Sequence, residues 1–135
     1  MPPKLLEQLE EIDLYPDRAD RIEMLIAIGE EFQNPTHDEL PRSDSCRVPG
    51  CESEAYVALD GEGRLRIAID NPQGISAMAM AQIILQGFAS ATQDEVRAVP
   101  EEIVYRVFGR ELSMGKSMGL TGMVGMAKRT VLESA

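Results

Sequence analysis

Cysteine, aromatic and basic residues are all scarce in this 135-residue chain. It has two cysteines, no tryptophan and 4% aromatic residues. Two cysteines are too few for the disulfide framework of a small secreted domain, so we expect free thiols or thiols with a chemical role. Only 13 basic residues face 23 acidic ones, which gives a formal net charge of -10. Because such a surface repels phosphate backbones, we expect no nucleic-acid partner.

A long uninterrupted hydrophobic run is also missing. The longest apolar stretch covers residues 75–91, is interrupted by Ser76, Gln82 and Gln86, and is shorter than the roughly 20 apolar residues that cross a bilayer. Residues 1–14 lack the basic start and apolar stretch of a secretory signal, and they are too acidic for a transit peptide. We therefore expect a cytoplasmic protein with no membrane partner.

The chain is long enough, and at 44% hydrophobic residues apolar enough, to form a substantial core. We expect one domain over residues 1–135, with residues 1–14 as a loosely ordered N-terminal segment. Apolar spacing and capping signals predict five helices. Three cover residues 17–32, 101–108 and 115–133, a buried central helix covers 75–91, and a short helix follows Thr92.

Alternating apolar residues predict two strands, at 53–59 and at 65–69. The intervening Asp60-Gly61-Glu62-Gly63 has the composition of a turn, which favours an antiparallel hairpin. In the last predicted helix, glycines recur every three or four residues. Because each glycine costs about 1 kcal/mol of helix propensity relative to alanine, we expect close packing on that face, by another helix or by a ligand. The glycines are Gly115, Gly119, Gly122 and Gly125.

The same helix carries four methionines. Their spacing is typical of core residues, and an exposed minority would form an adaptable docking surface. They are Met114, Met118, Met123 and Met126.

A polar loop over residues 34–50 brings Cys46 and Cys51 to the start of the first strand. Cys51 follows Pro49-Gly50, so it lies where a turn meets a strand. At such a loop tip a thiol can meet a partner while the strand fixes its base. The alternative is that Cys51 is a buried, inert small hydrophobe.

Two segments resemble a known family. Val48-x-Gly50-Cys51-x-Ser53, followed by Tyr56, is similar to the cysteine motif of the SufE family of sulfur acceptors. Residues 112–120, Leu-Ser-Met-Gly-Lys-Ser-Met-Gly-Leu, are similar to that family's Leu-(Ser/Thr)-Pro-Ser-Arg-Ser-x-Gly-Leu. The resemblance covers about residues 15–132.

The resemblance implies a SufE/IscU-like α+β fold, in which a small antiparallel sheet packs against several helices. It also implies that Cys51 carries a persulfide. On this reading the chain is a sulfurtransferase that accepts sulfur from a SufS-type cysteine desulfurase, activates that enzyme and relays the sulfur to a SufBCD-like scaffold for iron–sulfur cluster assembly. No cofactor or metal is expected.

Five further residues are candidates to support Cys51. Arg47 and Lys116 would favour the thiolate by their charge, whereas alternation places Glu52 and Glu54 on the other side of the strand. The remaining candidates are Gly50 and Ser53 in the cysteine motif and Asp70, which matches an acidic family position and would guide the Cys51 loop or cap a turn.

Several residues depart from the family pattern. Cys46 stands where Asn is common, and Glu52 and Glu54 stand where Gln is common. Lys116 replaces an Arg, and Met114 replaces the Pro of the tail segment. Lysine keeps the charge of arginine but lacks its planar fork of donors. Lys116 would therefore supply charge beside Cys51 without the bidentate geometry of an arginine.

Other readings remain open at this point. Cys46, Cys51 and His37 could supply metal ligands, although the cysteine spacing is wide for a zinc site. The chain could instead be a docking module in which Cys51 is incidental. Cys46 is a candidate redox partner that forms a disulfide with Cys51, or else it packs beneath the loop. Homodimer formation also stays open.

Overall fold

The computed structural model describes residues 1–109, 112 and 114–134. Ser113, part of the tail segment, lies outside the described residues. The described part of the chain forms six helices and a two-stranded antiparallel sheet, which confirms the expected α+β class. The elements are α1 (Pro3–Asp13), α2 (Arg18–Glu31), β1 (Glu54–Leu59), β2 (Leu65–Asp70), α3 (Ser76–Phe88), α4 (Gln93–Arg97), α5 (Ile103–Phe108) and α6 (Met114–Glu133), with a short 3-10 turn at Asp44–Cys46.

Strands β1 and β2 form the predicted hairpin. Their register runs from Glu54 opposite Asp70 to Leu59 opposite Leu65. At the turn, Asp60 Oδ1 accepts the backbone N–H groups of Glu62 at 2.9 Å and Arg64 at 3.0 Å. The side chain of Asp60 therefore closes the turn that its sequence predicts.

Helix α3 lies at the centre of the core, as its apolar sequence predicts. Ala79, Met80 and Ile84 are 0% exposed. Helices α1 and α2 pack on α3, and so do β2 and α6. Gly87 lets α1 approach α3 closely, since a Cβ there would lie only 2.8 Å from Leu5 Cβ. Within the described ranges, none of the helices is long and apolar enough to cross a bilayer.

The N-terminal segment is helical, so the expectation of a loosely ordered stretch at residues 1–14 is wrong. Leu5, Leu9 and Ile12 follow helical spacing, and at most 1% of each is exposed. Their burial in the core contributes about 1.5–3 kcal/mol for each side chain. The apolar residues of α1 are few and are separated by acidic residues, so the sequence pattern did not indicate a buried helix.

The hairpin is covered on both faces. Ala55, Val57 and Ile67 face the main helical core. On the other face a second cluster forms beneath the loop over residues 34–50, from Leu40, Cys46, Tyr56 and Ala68. This loop therefore acts as a second layer over the sheet.

Candidate functional site

Cys51 lies at the tip of a loop that extends the hairpin. Arg47 forms an isolated β-bridge with Tyr56, and Val48 N–H donates to Ala55 O at 2.8 Å. The chain therefore doubles back over residues 49–54. Gly50 has φ +74°, a left-handed conformation that glycine adopts without steric cost. The predicted position of Cys51 at a turn before a strand agrees with this geometry.

The glycines of α6 make room for this loop. A Cβ on Gly119 would lie 2.7 Å from Cys51 Cα and 3.3 Å from Cys51 Sγ, and a Cβ on Gly122 would lie 3.3 Å from Val48 Cγ1. A Cβ on Gly115 would meet a Glu52 carboxylate oxygen at 2.9 Å. The expectation of close packing is correct, but it is the Cys51 loop, and not a neighbouring helix, that lies on these three glycines.

The thiol faces a small cavity. Cys51 is half-buried, and the cavity beside it measures about 20 Å³, room for roughly one water molecule. The Cys51 loop, helix α3 and helix α6 each contribute residues to the wall of this cavity. The lining includes Cys51, Glu52, Ser53, Gln73, Ser76, Ala77, Lys116, Gly119 and Leu120. Among the predicted site residues, Cys51, Ser53 and Lys116 are therefore brought together.

Burial has the largest effect on the pKa of the Cys51 thiol and raises it. A hydrogen bond from Ser53 N–H to the sulfur lowers this pKa, the charge of Glu52 raises it and the charge of Arg47 lowers it. The net result is a pKa above the ordinary value. Arg47 thus acts in the expected direction but is outweighed. Glu52 lines the cavity, so the expectation that it lies on the far side of the strand is wrong. The resting thiol is protonated at neutral pH.

Ser53 ties the cysteine loop to the start of α3. Its side chain is buried, at 4% exposed, and its Oγ accepts the backbone N–H of Gln73 at 2.8 Å. The turn over residues 71–74 leads directly into α3, whose Ser76 and Ala77 line the cavity. Ser53 therefore fixes two walls of the site relative to each other.

Asp70 forms hydrogen bonds with residues of the polar loop. Arg42 donates to both of its carboxylate oxygens, from Nε at 2.9 Å and from Nη2 at 3.1 Å, and Asn34 Nδ2 donates at 3.2 Å. The hydrogen bond from Arg42 is the main reason that the pKa of Asp70 is lowered. Asp70 thus anchors the loop over residues 34–42 through these hydrogen bonds, and its guidance of the Cys51 loop stays a prediction.

Arg42 is the residue that the sequence analysis missed. Only 8% of its side chain is exposed, and it also donates to Pro35 O at 2.6 Å and Leu40 O at 2.6 Å. Nothing in the local sequence indicates that an arginine in a polar loop will be buried. The pattern that could have indicated it is the combination of Arg42, in a loop rich in proline, with Asp70, an acidic residue at the end of a strand.

Cys46 is separated from the site by its packing. It is buried, at 8% exposed, in the cluster beneath the loop, and its Sγ lies 3.2 Å from Ser43 O. Both cysteines are free thiols, and Cys51 packs against the main core instead. This geometry favours the reading in which Cys46 packs beneath the loop over the disulfide switch.

The structure places no set of metal ligands together. In the described part of the chain, no group of three or more His, Cys, Asp or Glu side chains is positioned to hold an ion. Cys46, one of the proposed ligands, instead has its sulfur within hydrogen-bond distance of backbone carbonyl oxygens.

The methionines of α6 divide between core and surface. Met123 is fully buried and Met126 packs against the core, whereas Met114 and Met118 are 79% and 58% exposed. Two of the four methionines therefore pack in or against the core as expected, but the exposed ones are half of the set and not a minority. Only the structure shows that the exposed pair lies at the end of α6 that contacts the Cys51 loop.

The fold and the site define the class of protein: an α+β domain with one half-buried thiol at a loop tip. A family model described as "SufE: Fe-S metabolism associated domain" matches residues 6–131. The chain belongs to this family, whose description associates it with iron–sulfur metabolism.

Two further comparisons concern individual proteins. No curated protein matches the chain. The solution structure of a hypothetical protein from Thermus thermophilus is similar, with a TM-score of 0.73 and 23% sequence identity over 100% of this chain and 99% of the other. At this identity the likeness shows a shared fold.

Proposed function

We propose that this chain is a cytoplasmic sulfur acceptor that receives persulfide sulfur on Cys51 from a SufS-type cysteine desulfurase. It stimulates that enzyme and passes the sulfur to a SufBCD-like scaffold. Membership of the SufE family supports a role in iron–sulfur metabolism. The observation that carries the assignment to Cys51 is the contrast between the two thiols: Cys51 is half-buried at a loop tip beside a small cavity, whereas Cys46 is buried beneath the loop.

The proposed reaction is a thiol–persulfide exchange. The Cys51 thiolate attacks the terminal sulfur of the desulfurase persulfide, a new S–S bond forms on Cys51, and the S–S bond on the desulfurase breaks. The electron pair of the broken bond stays on the desulfurase cysteine. The proton lost by Cys51 is balanced by the one that this cysteine regains, so the exchange needs no external oxidant or reductant.

Burial keeps the resting thiol protonated, since it is the main factor that raises the pKa of Cys51. The cavity beside the thiol, about 20 Å³, holds roughly one water molecule. We propose that the approach of the desulfurase displaces the loop over residues 49–52 from α6, which would lower the pKa of Cys51 because the sulfur leaves its buried position.

A direct test combines the purified chain with a cysteine desulfurase and free cysteine. We expect one added sulfur atom on Cys51 by peptide mass mapping, together with faster alanine production. Cys51→Ser should abolish both, since an alcohol cannot carry a persulfide, while the matched variant Cys46→Ser should retain both. An unmodified Cys51 beside an active desulfurase would reject the proposal.

A docking module is the second candidate, and the exposed Met114 and Met118 favour it. Such a protein would bind the desulfurase and raise alanine production without any change in its own mass. The Cys51→Ser variant separates the two functions. Full stimulation by this variant would favour docking alone, and lost stimulation with an intact fold would favour sulfur acceptance.

A further inference from the structure

The first turns of α6 expose a pair of methionines. Met114 is 79% exposed and Met118 is 58% exposed. Positions four residues apart lie on the same face of a helix, so the two thioether side chains form one apolar patch. Among the described residues, the other large hydrophobic side chains with comparable exposure belong to α1, α2 and the turn between them.

Met118, one of this pair, borders the thiol loop directly. A Cβ on Gly50 would lie 3.8 Å from Met118 Cε, which is ordinary van der Waals contact. Gly119, the residue after Met118, lines the cavity beside the Cys51 thiol, and so does Lys116. The patch and the site therefore adjoin each other at the Cys51 loop.

We infer that Met114 and Met118 form the docking surface for the cysteine desulfurase that loads Cys51, an inference that rests on the proposed function. Transfer brings a sulfur of the desulfurase to bonding distance from Cys51 Sγ, so that enzyme must cover the surface that adjoins the loop. Methionine suits this role because its flexible, polarisable side chain adapts to the shape of a partner.

A second copy of this chain is a poorer occupant of the same patch. A two-fold symmetric dimer places the same face of both copies in the interface. Such a dimer would cover the Cys51 loop of both copies at once and leave neither thiol accessible to a persulfide donor. The geometry therefore favours a different protein over self-association at this face.

Helix α2 provides a matched control. Ile22 and Ile26 are also four residues apart and are 46% and 39% exposed. Neither residue lines the Cys51 cavity. The double variants Met114→Gln/Met118→Gln and Ile22→Gln/Ile26→Gln thus each replace an exposed apolar pair four residues apart on a helix. The methionine pair is the more exposed of the two, and the helices differ in whether they contact the Cys51 loop.

The test measures alanine production by a SufS-type desulfurase as a function of the concentration of each chain. For Met114→Gln/Met118→Gln we expect the half-saturating concentration to rise about tenfold or more, with an unchanged maximal rate. The control should stay within about twofold of wild type. Alkylation of Cys51 by iodoacetamide and the thermal unfolding midpoint should be unchanged in both, because the substituted side chains are exposed.

Three results would overturn the inference. An unchanged half-saturating concentration in the methionine variant would show that the patch is not the docking surface. An equal rise in the isoleucine control would show a non-specific loss of apolar surface, and a lower maximal rate alone would assign the methionines to the loop instead. If the wild-type chain gains no sulfur, it is the proposed function itself that fails.

Discussion

Gly119 lies directly beneath Cys51. A methyl group on Gly119 would be 2.7 Å from Cys51 Cα and 3.2 Å from Cys51 Cβ, distances at which one of the two backbones has to shift. The absence of a side chain at position 119 is therefore what allows the cysteine loop to rest on α6. The burial and the raised pKa of Cys51 depend on this contact.

Gly119→Ala should release the loop. Alanine gains about 1 kcal/mol of helix propensity over glycine, but it meets Cys51 at a distance that the folded chain cannot accommodate without movement. We expect Cys51 to react several-fold faster with iodoacetamide at about pH 7.5, because the displaced thiol is less buried and more readily ionised. Stopped-time alkylation with mass mapping measures this rate.

Gly122→Ala is the control for this prediction. It has the same gain in propensity, and its Cβ would lie 3.3 Å from Val48 Cγ1 and 3.4 Å from Pro49 O, where small adjustments suffice. In urea unfolding, Gly119→Ala should be less stable than Gly122→Ala by about 1–3 kcal/mol. Equal stabilities and equal alkylation rates in the two variants would show that Gly119 does not hold the loop.

Two charge variants should move the reactivity of Cys51 in opposite directions. Glu52 raises and Arg47 lowers the pKa of Cys51. Glu52→Gln should therefore shift the pH profile of alkylation to lower pH and increase the rate at neutral pH, while Arg47→Gln should do the reverse. The measurement is the alkylation rate between about pH 6.5 and about pH 10. Shifts of the same sign would contradict the electrostatic assignment.

Asp70→Asn should destabilise the fold at neutral pH by about 2–3 kcal/mol, because it leaves the buried guanidinium of Arg42 without its carboxylate. Urea unfolding measures this change. The pKa of Asp70 is lowered in the folded state, so its stabilisation is present above the unfolded value of about 3.9 and is lost as the pH falls through the lower, folded value. The difference between wild type and Asp70→Asn should therefore shrink in acid.

Glu62→Gln is the matched surface control. Glu62 pairs with Arg64 at 2.6 Å, but the two side chains are 73% and 66% exposed. An ion pair in such contact with water contributes about 0–1 kcal/mol. If both substitutions cost the same, the burial of the Arg42–Asp70 pair would have no energetic consequence.

Cys46 should stay unreactive while the chain is folded. Its sulfur is buried in the cluster with Leu40 and Tyr56, so mild peroxide should modify Cys51 first and should leave no internal disulfide. Mass mapping without reduction identifies the modified cysteine. Cys46→Ser should show the same oxidation products as wild type, and a Cys46–Cys51 disulfide in wild type would contradict the separation of the two thiols.

Local patterns in the sequence were enough for most of the helices and for the hairpin. Alternation over 53–59 and 65–69, with turn residues between them, has one simple solution, an antiparallel pair. Thr92 and Glu95 also form the capping box that their spacing predicts. These features depend on neighbours a few residues apart in the chain, so the sequence contains them directly.

Helix α1 shows where the local pattern was harder to interpret. Its three buried residues, Leu5, Leu9 and Ile12, follow helical spacing, but a short amphipathic segment is stable only against a partner surface. That partner is mainly α3, which lies far along the chain, beyond the hairpin. The sequence alone did not show whether the segment would dock.

Some features of the candidate site are likewise local in the sequence, and others depend on tertiary contacts. The sequence by itself determined that Cys51 follows a Pro-Gly turn ahead of a strand, because turn and strand preferences are local. Only the tertiary structure decided that the loop rests on Gly119, that Glu52 lines the cavity of the thiol and that Asp70 belongs to Arg42. The physical reason is that burial and charge at the thiol depend on residues far apart in the chain, which meet only when α6 and the long loop pack against the hairpin.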